Sequence, residues 1–434
     1  MAPTVRAPVL EIQLVTGRTS MTAQVLPTRS GERFEDLDYV RGLALLGIFI
    51  MNLPTFALNS SAYLGAGIPG ATWWDQAAFL FTDILLSGKF NSMFSMLFAI
   101  GFTLQLERLE ASLPASEAAY VYLRRLAVLL LMGAVHMLFF WTGDILHVYA
   151  LLGFLLLWLR RWSDRGILAL ALGCIFLPSV VRIWQFSQMS PQIFQQTMAV
   201  ARSGFALDDS VFGHGGFLQA VHRTFYDAVY YYTAAYLRPS LFAEYMLILT
   251  TMCLGLLIGR RGWYRNVAVH LPVLARWRWI LLAVGLVTGG VVALEDFLYQ
   301  PQDGLTALGL FSSVCYRLCR LSLTAFYVLC FLMLLQRPVW RERLRPMAVA
   351  GRMALTNYLV QTAFGLVVFY GWGFGLRGHV GAAGLLVICC AFYGLVQLPL
   401  SCWWLRRYEF GPFEYLWRAA TYGRLPPFRA RVTA

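Results

Sequence analysis

Residues 72–106 read TWWDQAAFLFTDILLSGKFNSMFSMLFAIGFTLQL, apolar on both sides of a break at Ser87-Gly88-Lys89. A helix needs about 20 apolar residues to span a bilayer. The stretch therefore holds either two short spans or one long, interrupted span. The rest of the chain decides between them. Further apolar stretches run at roughly 42–58, 126–142, 145–159, 166–183, 241–259, 279–297, 310–336, 353–371 and 380–405. Between them lie Arg124-Arg125, Arg160-Arg161, Arg260-Arg261, the run from Arg337 to Arg352, and Arg406-Arg407. If residues 72–106 cross once, all of these clusters fall on the inner side, as the positive-inside rule requires. If they cross twice, all fall outside. One net crossing by a long broken helix follows, with about ten spans and both chain ends on the arginine side. Irregular backbone at membrane depth is tolerated only where protein covers it or a cavity is lined by it.

Composition agrees with an all-α, polytopic integral membrane bundle. Apolar residues make up 59% of the 434 positions and charged residues 13%, against about 25% charged in an average soluble domain. The aromatic share of 15% suits membrane interfaces, where Trp and Tyr are enriched. The net charge of +13 does not point to nucleic acid, because the arginines sit in short clusters between apolar runs and form no basic stripe. The eight cysteines lie in or beside apolar runs and read as packing residues. Cys315 and Cys319 are one turn apart, but no second pair or nearby His completes a zinc pattern, so no metal is expected.

Residues 1–34 read as a polar, disordered tail without a basic n-region and apolar h-region, so no cleavable signal is expected, and Met21 is a candidate start. The bundle occupies 35–405. Within it, 184–240 reads as an outward-facing loop rich in Gln, Ser, His and Tyr, either a lid or acceptor-binding surface or a passive interfacial loop. Residues 406–434 read as an inner tail with a short amphipathic helix, in which Glu414 and Arg418 have the spacing of a helical ion pair.

Several constellations carry chemistry. Asp38 and Arg41 open the first span three residues apart, and Asn52 follows Arg41 by eleven. Eleven residues are close to three helical turns and about 16 Å, so Arg41 and Asn52 share a face, the one near the inner surface and the other deep in the span. Lys89 is the sole lysine, at the break. It has the chemistry to contact a phosphate or carbonyl, or to pair with Asp83 and hold the broken helix. His136, Asp144 and His147 bracket a tight turn at the outer mouth, which assembles imidazole and carboxylate for general-base work. Arg317 and Arg320 lie one turn apart in apolar sequence, suited to an anionic group or to carboxylates such as Glu295 and Asp296. Thr356, Asn357 and Gln361 are candidates for interhelical hydrogen bonds.

Taken together, these motifs resemble the YeiB-type family of bacterial inner-membrane proteins, whose C-terminal half is a domain of unknown function. The resemblance runs from about residue 35 to 425, with the C-terminal domain at about 241–425. It rests on Asp38, Arg41-Gly42, Gly47 and Asn52; Gly88-Lys89-Phe90 with Phe94-Ser95; Gly143-Asp144-Ile145-Leu146 with Tyr149-Ala150; Gly351-Arg352 to Tyr358; and Gly411-Pro412 to Trp417-Arg418. It implies a multi-pass inner-membrane protein with both termini cytoplasmic. The family is distantly similar to transmembrane acyltransferases, which move an acyl group from cytoplasmic acyl-CoA to an acceptor on the far side. The shared element is the Arg41 to Asn52 spacing; polysaccharide O-acyltransferases have a catalytic His at the second position, and the glucosaminide acetyltransferase has Asn. That enzyme adds a His in the next external loop, whereas residues 59–75 here contain none. The resemblance thus implies acyl-CoA as co-substrate, a hydroxyl, amine or glycan acceptor, donor contacts from Asp38, Arg41 and Lys89, and a base among His136, His147 and Asp144. The alternatives are a small-molecule transporter or a non-enzymatic membrane subunit.

Overall fold

The computed structural model describes residues 34–60, 72–187, 190–235, 239–265, 267–298 and 306–429. The expected disordered tail, except for Phe34, lies outside them. The described chain is helical, with no strand. Its elements are α1 (Glu35–Ala57), α2 (Trp73–Phe81), α3 (Lys89–Ser112), α4 (Ala115–Phe139), α5 (Leu146–Leu159), α6 (Asp164–Ser187), α7 (Pro191–His214), α8 (Phe217–Ala235), α9 (Pro239–Arg261), α10 (Val267–Leu298), α11 (Ala307–Leu335), α12 (Pro338–Arg343), α13 (Arg345–Arg352), α14 (Ala354–Phe369), α15 (Ala382–Ala391), α16 (Leu398–Leu405) and α17 (Pro412–Tyr422). Eight helical stretches are long and apolar enough to cross a membrane, and α5 and α14 are shorter apolar helices. The molecule is a polytopic α-helical bundle.

Residues 73–112 form one candidate span with the expected break. A π-helical stretch, Thr82–Leu86, leads into Gly88 at φ +73°. Only glycine enters this left-handed region without strain, and the chain then restarts as α3. The tenth span has a similar interruption, a π-helical stretch Phe392–Gln397 between α15 and α16. Segment 184–240 is not an irregular loop. Beyond the end of α6 its described residues are mainly the helices α7 and α8, joined at Gly215-Gly216. Ser190 caps α7 by accepting from Ile193 N, with Pro191 at its first position, the start signals expected of a helix.

α1 is the central element. Leu45, Phe49, Leu53 and Phe56 are buried in a core shared with Phe90 and Met93 of α3, Leu366 and Phe369 of α14 and Cys389 of α15. A second core joins α3, α4, α5, α6 and α9 around Phe102, Leu126, Leu156 and Met252. α10 packs on α11, and its other side shows Val287 and Phe297. Such a surface needs lipid to cover it. The arginine clusters collect at one end of the bundle. Arg341 pairs with Glu35 and Asp36, Arg260 and Arg261 with Asp164, Arg160 with Glu110 and Arg265 with Glu107.

Candidate functional site

The site begins with the length of α5. Fourteen residues rise about 21 Å, less than the ~30 Å hydrocarbon core. α5 ends at the arginine-rich face, so its start, and the turn before it, lie below the opposite surface. Close approach makes this possible. A side chain at Gly133 of α4 would meet the His147 backbone nitrogen at 2.3 Å, so only glycine lets the start of α5 pack against α4.

The turn brings together three residues singled out from the sequence. Asp144 Oδ1 lies 2.8 Å from His136 Nδ1, and Oδ2 lies 2.7 Å from His147 Nδ1. Oδ2 also accepts from the His147 backbone N–H at 2.9 Å. All three side chains are buried. An ionised carboxylate only accepts, so each Nδ1 carries the proton and each Nε2 becomes the basic nitrogen. Thr362 Oγ1 then donates to His136 Nε2 at 3.1 Å. Tyr358 Oη donates to Asp144 Oδ1 at 3.4 Å and accepts from Ile145 N. A hydroxyl, an imidazole and an orienting carboxylate in series have the geometry of a base-activated hydroxyl. Among the described residues, no three His, Cys, Asp or Glu side chains are grouped to hold a metal ion.

The sequence marks no role for Thr362 or Tyr358: Tyr358 ends the Gly351–Tyr358 motif, whereas Thr362, on α14, is 226 positions from His136 and carries no local signal. The other candidates have separate surroundings. Asn52 is half-buried; Phe56, one turn on, packs against Trp141 at 5.1 Å, so this face of α1 runs past the turn that holds Asp144. Arg41 pairs with Asp38 at 2.6 Å. Lys89 is buried and donates to the Ile84 carbonyl at 2.7 Å and the Asp83 carbonyl at 3.5 Å; its ammonium closes off the end of the π-helical stretch. Arg320 is bidentate on Glu244 of α9 (Nη2 to Oε1 2.9 Å) and also donates to the Gly88 carbonyl. Arg317 donates to the Ile175 carbonyl and to the Ser179 and Ser313 hydroxyls. Neither arginine pairs with Glu295, the expected neighbour, which accepts from Ser312 instead. The side chain of Asp296 lies outside the described residues.

The polar residues of α14 bond between elements. Asn357 donates to Ser401 and to the Ala350 carbonyl, and Gln361 donates to Gln397. Glu414 accepts from the Leu355 and Thr356 backbone N–H groups and the Thr356 hydroxyl. It caps α14, and the Arg418 guanidinium lies over Phe410.

At the end opposite the arginine clusters, α7 and α8 border a groove of about 780 Å³ lined by His214, His222, Arg223 and Tyr226. Phe225 stacks on Phe139 at the end of α4, one turn beyond His136. Arg223 bridges Asp208 at 2.6 Å and Asp227 at 2.9 Å. Burial, and then the neighbouring Asp208 carboxyl, push Asp227 up to about 7. Asp209 holds the hairpin to the bundle through Arg377 at 3.1 Å.

This architecture is that of a multi-pass α-helical membrane protein. The family model for DUF418, described as a protein of unknown function, matches residues 258–424. The chain is 32% identical over 409 residues to the uncharacterized protein YxaH of Bacillus subtilis (strain 168), covering 91% of this chain and 96% of that protein. It is 29% identical to an uncharacterized 39.9 kDa protein in the amylase 3′ region of Bacillus acidopullulyticus (94% and 99% covered). It is 28% identical to the uncharacterized protein YeiB of Escherichia coli (strain K12) (90% and 96% covered). The chain belongs to the YeiB-type DUF418 family. No solved structure matches it significantly.

Proposed function

We propose that the protein is a bacterial inner-membrane acyltransferase. It moves an acyl group from cytoplasmic acyl-CoA to a hydroxyl or amine acceptor on the periplasmic side, with both termini cytoplasmic. The observation that carries this reading is the buried Asp144 carboxylate holding two imidazoles, one of them against a hydroxyl. In the proposed reaction, His136 or His147 takes the acceptor's proton through Nε2 as its oxygen or nitrogen bonds to the thioester carbonyl carbon. The tetrahedral intermediate then collapses, the C–S bond breaks, and the imidazolium returns the proton to the departing thiolate. Asn52 polarises the carbonyl, and Arg41 meets the donor phosphates. Lys89 and Asp38 hold the segments that frame them. The groove between α7 and α8 receives the acceptor.

The test compares acylated lipids, glycans and secreted metabolites, by mass spectrometry, in a deletion strain complemented with wild-type or variant genes. Loss of a placed base costs about 10²–10⁴ in rate. The double variant His136→Ala/His147→Ala is expected to abolish a product that the wild type restores. Full product from the double variant would end the assignment. A transport reading draws on one observation, a π-helical interruption in both the second and the tenth spans, since broken helices also build transport sites. Substrate counterflow in proteoliposomes, without dependence on CoA, would favour it.

A further inference from the structure

A half-buried cation on α4, Arg125, has no counter-ion among the described residues. Arg125 Nη1 is sealed from solvent with no hydrogen-bond partner, and no described carboxylate pairs with it. Its ionisable neighbours are the phenols Tyr122 and Tyr422 and a second cation, Arg41, which is itself paired with Asp38. Trp417 of α17 covers the guanidinium, whose carbon is 3.6 Å from the ring centroid. The Trp417 indole N–H donates to the Arg125 carbonyl at 2.9 Å, so the cover is fixed to the residue it shields. Tyr422 Oη accepts from Gln105 Nε2 at 3.4 Å. Arg41 lies over Gly101, one turn before Gln105, with its Nη2 3.4 Å from where a Cβ would stand.

A cation–π contact offsets part of the cost of burying a guanidinium. It leaves a donor unused, and placing a second arginine nearby adds repulsion. An oxyanion on the Arg125 fork would satisfy that donor, because the planar guanidinium matches phosphate oxygens, and Arg41, whose Nη1 is taken by Asp38, has further N–H groups to share it.

We propose that Arg125, with Arg41, forms a phosphate-binding site at the arginine-rich end of the bundle, covered by Trp417 and Tyr422 of α17. The ligand class is a phosphate ester. Its source is either a soluble nucleotide such as CoA or the headgroup of an anionic lipid. The first source rests on the acyltransferase reading and deepens it by adding a donor-binding residue; the site itself does not depend on that reading.

The experiment uses the full chain in detergent micelles. CoA and inorganic pyrophosphate are titrated by calorimetry, and retained phosphatidylglycerol is read by native mass spectrometry. Charge-assisted hydrogen bonds of this kind set the scale: Arg125→Gln is expected to weaken the bound phosphate ligand about tenfold or more. Arg125→Lys should recover part of the loss. Arg41→Gln, which also removes the partner of Asp38, should weaken binding in the same direction. Glu295→Ala, whose carboxylate meets Ser312, should bind as wild type. Binding of phosphatidylglycerol or pyrophosphate but not CoA, still dependent on Arg125, would uphold the site and remove the donor reading. Equal binding of all three ligands by wild type, Arg125→Gln and Arg41→Gln would overturn the site while leaving CoA binding intact. A wild-type protein that binds none of them would also overturn it.

Discussion

At the scale of single residues, the bundle interior is decided by how each buried charge is matched. Arg320 is only 2% exposed and depends on Glu244. Removing one partner of a buried pair leaves the other uncompensated, at about 3–5 kcal/mol. Glu244→Ala is therefore expected to lower the unfolding temperature in detergent sharply, whereas Glu295→Ala, whose carboxylate meets Ser312, should shift it far less. Equal shifts would show that Arg320 is held by something else. The sequence marked Arg320 as an apolar-embedded cation but offered Glu295 as its partner, because chain neighbours are the natural first guess. The matching carboxylate lies 76 positions away, on a helix that only tertiary packing brings alongside. His136, Asp144 and His147 were legible together for the opposite reason. They bracket one turn, so local geometry alone nearly fixes their meeting.

At the scale of elements, two devices are open to test. The break between α2 and α3 depends on Gly88. A side chain there would adopt a left-handed backbone, at a cost of about 1–2 kcal/mol, and would also meet Arg320 Nε at 2.1 Å. Gly88→Ala should therefore destabilise the protein by more than the backbone term alone. The loss measured beside Gly375→Ala, where φ is +68° and a side chain meets its nearest atom only at 4.0 Å, separates the two contributions. The α7–α8 hairpin has a titrating lock. Asp227 is pushed above the ordinary carboxyl range by burial and by Asp208, so the folded hairpin holds a proton that the unfolded chain releases earlier. Its stabilisation is complete below the unfolded value of about 4 and is lost as pH rises through about 7. Amide exchange across 191–235, corrected for its intrinsic pH dependence, should accelerate between about pH 5 and pH 8. Asp227→Asn should flatten that rise; an unchanged profile would place the lock elsewhere.

At the scale of the whole molecule, orientation is the quantity to measure. The arginine clusters meet their acidic partners at one end of the bundle, and the start of α1 and α17 sit at that end. A fluorescent protein fused after Ala434 is expected to fluoresce in the cytoplasm, and alkaline phosphatase inserted at Gly215 is expected to be active in the periplasm. The reverse pair of signals would invert the orientation. α5 and α14 are apolar but shorter than the eight long candidate spans.

Apolar stretches and arginine spacing alone determined that this chain is an all-α membrane bundle with residues 72–106 as one broken crossing. Hydrophobic length and charge sidedness are one-dimensional properties, and the bilayer reads them directly. The helices within 184–240 were not legible, because their start signals at Ser190-Pro191 were outweighed by polar composition. Only the tertiary structure decided which buried groups meet: Thr362 with His136, Glu244 with Arg320, Glu414 with the start of α14, and Trp417 over Arg125. In a low-dielectric interior each polar group must find a partner within about 3 Å, and which helix supplies that partner depends on how the bundle packs in three dimensions.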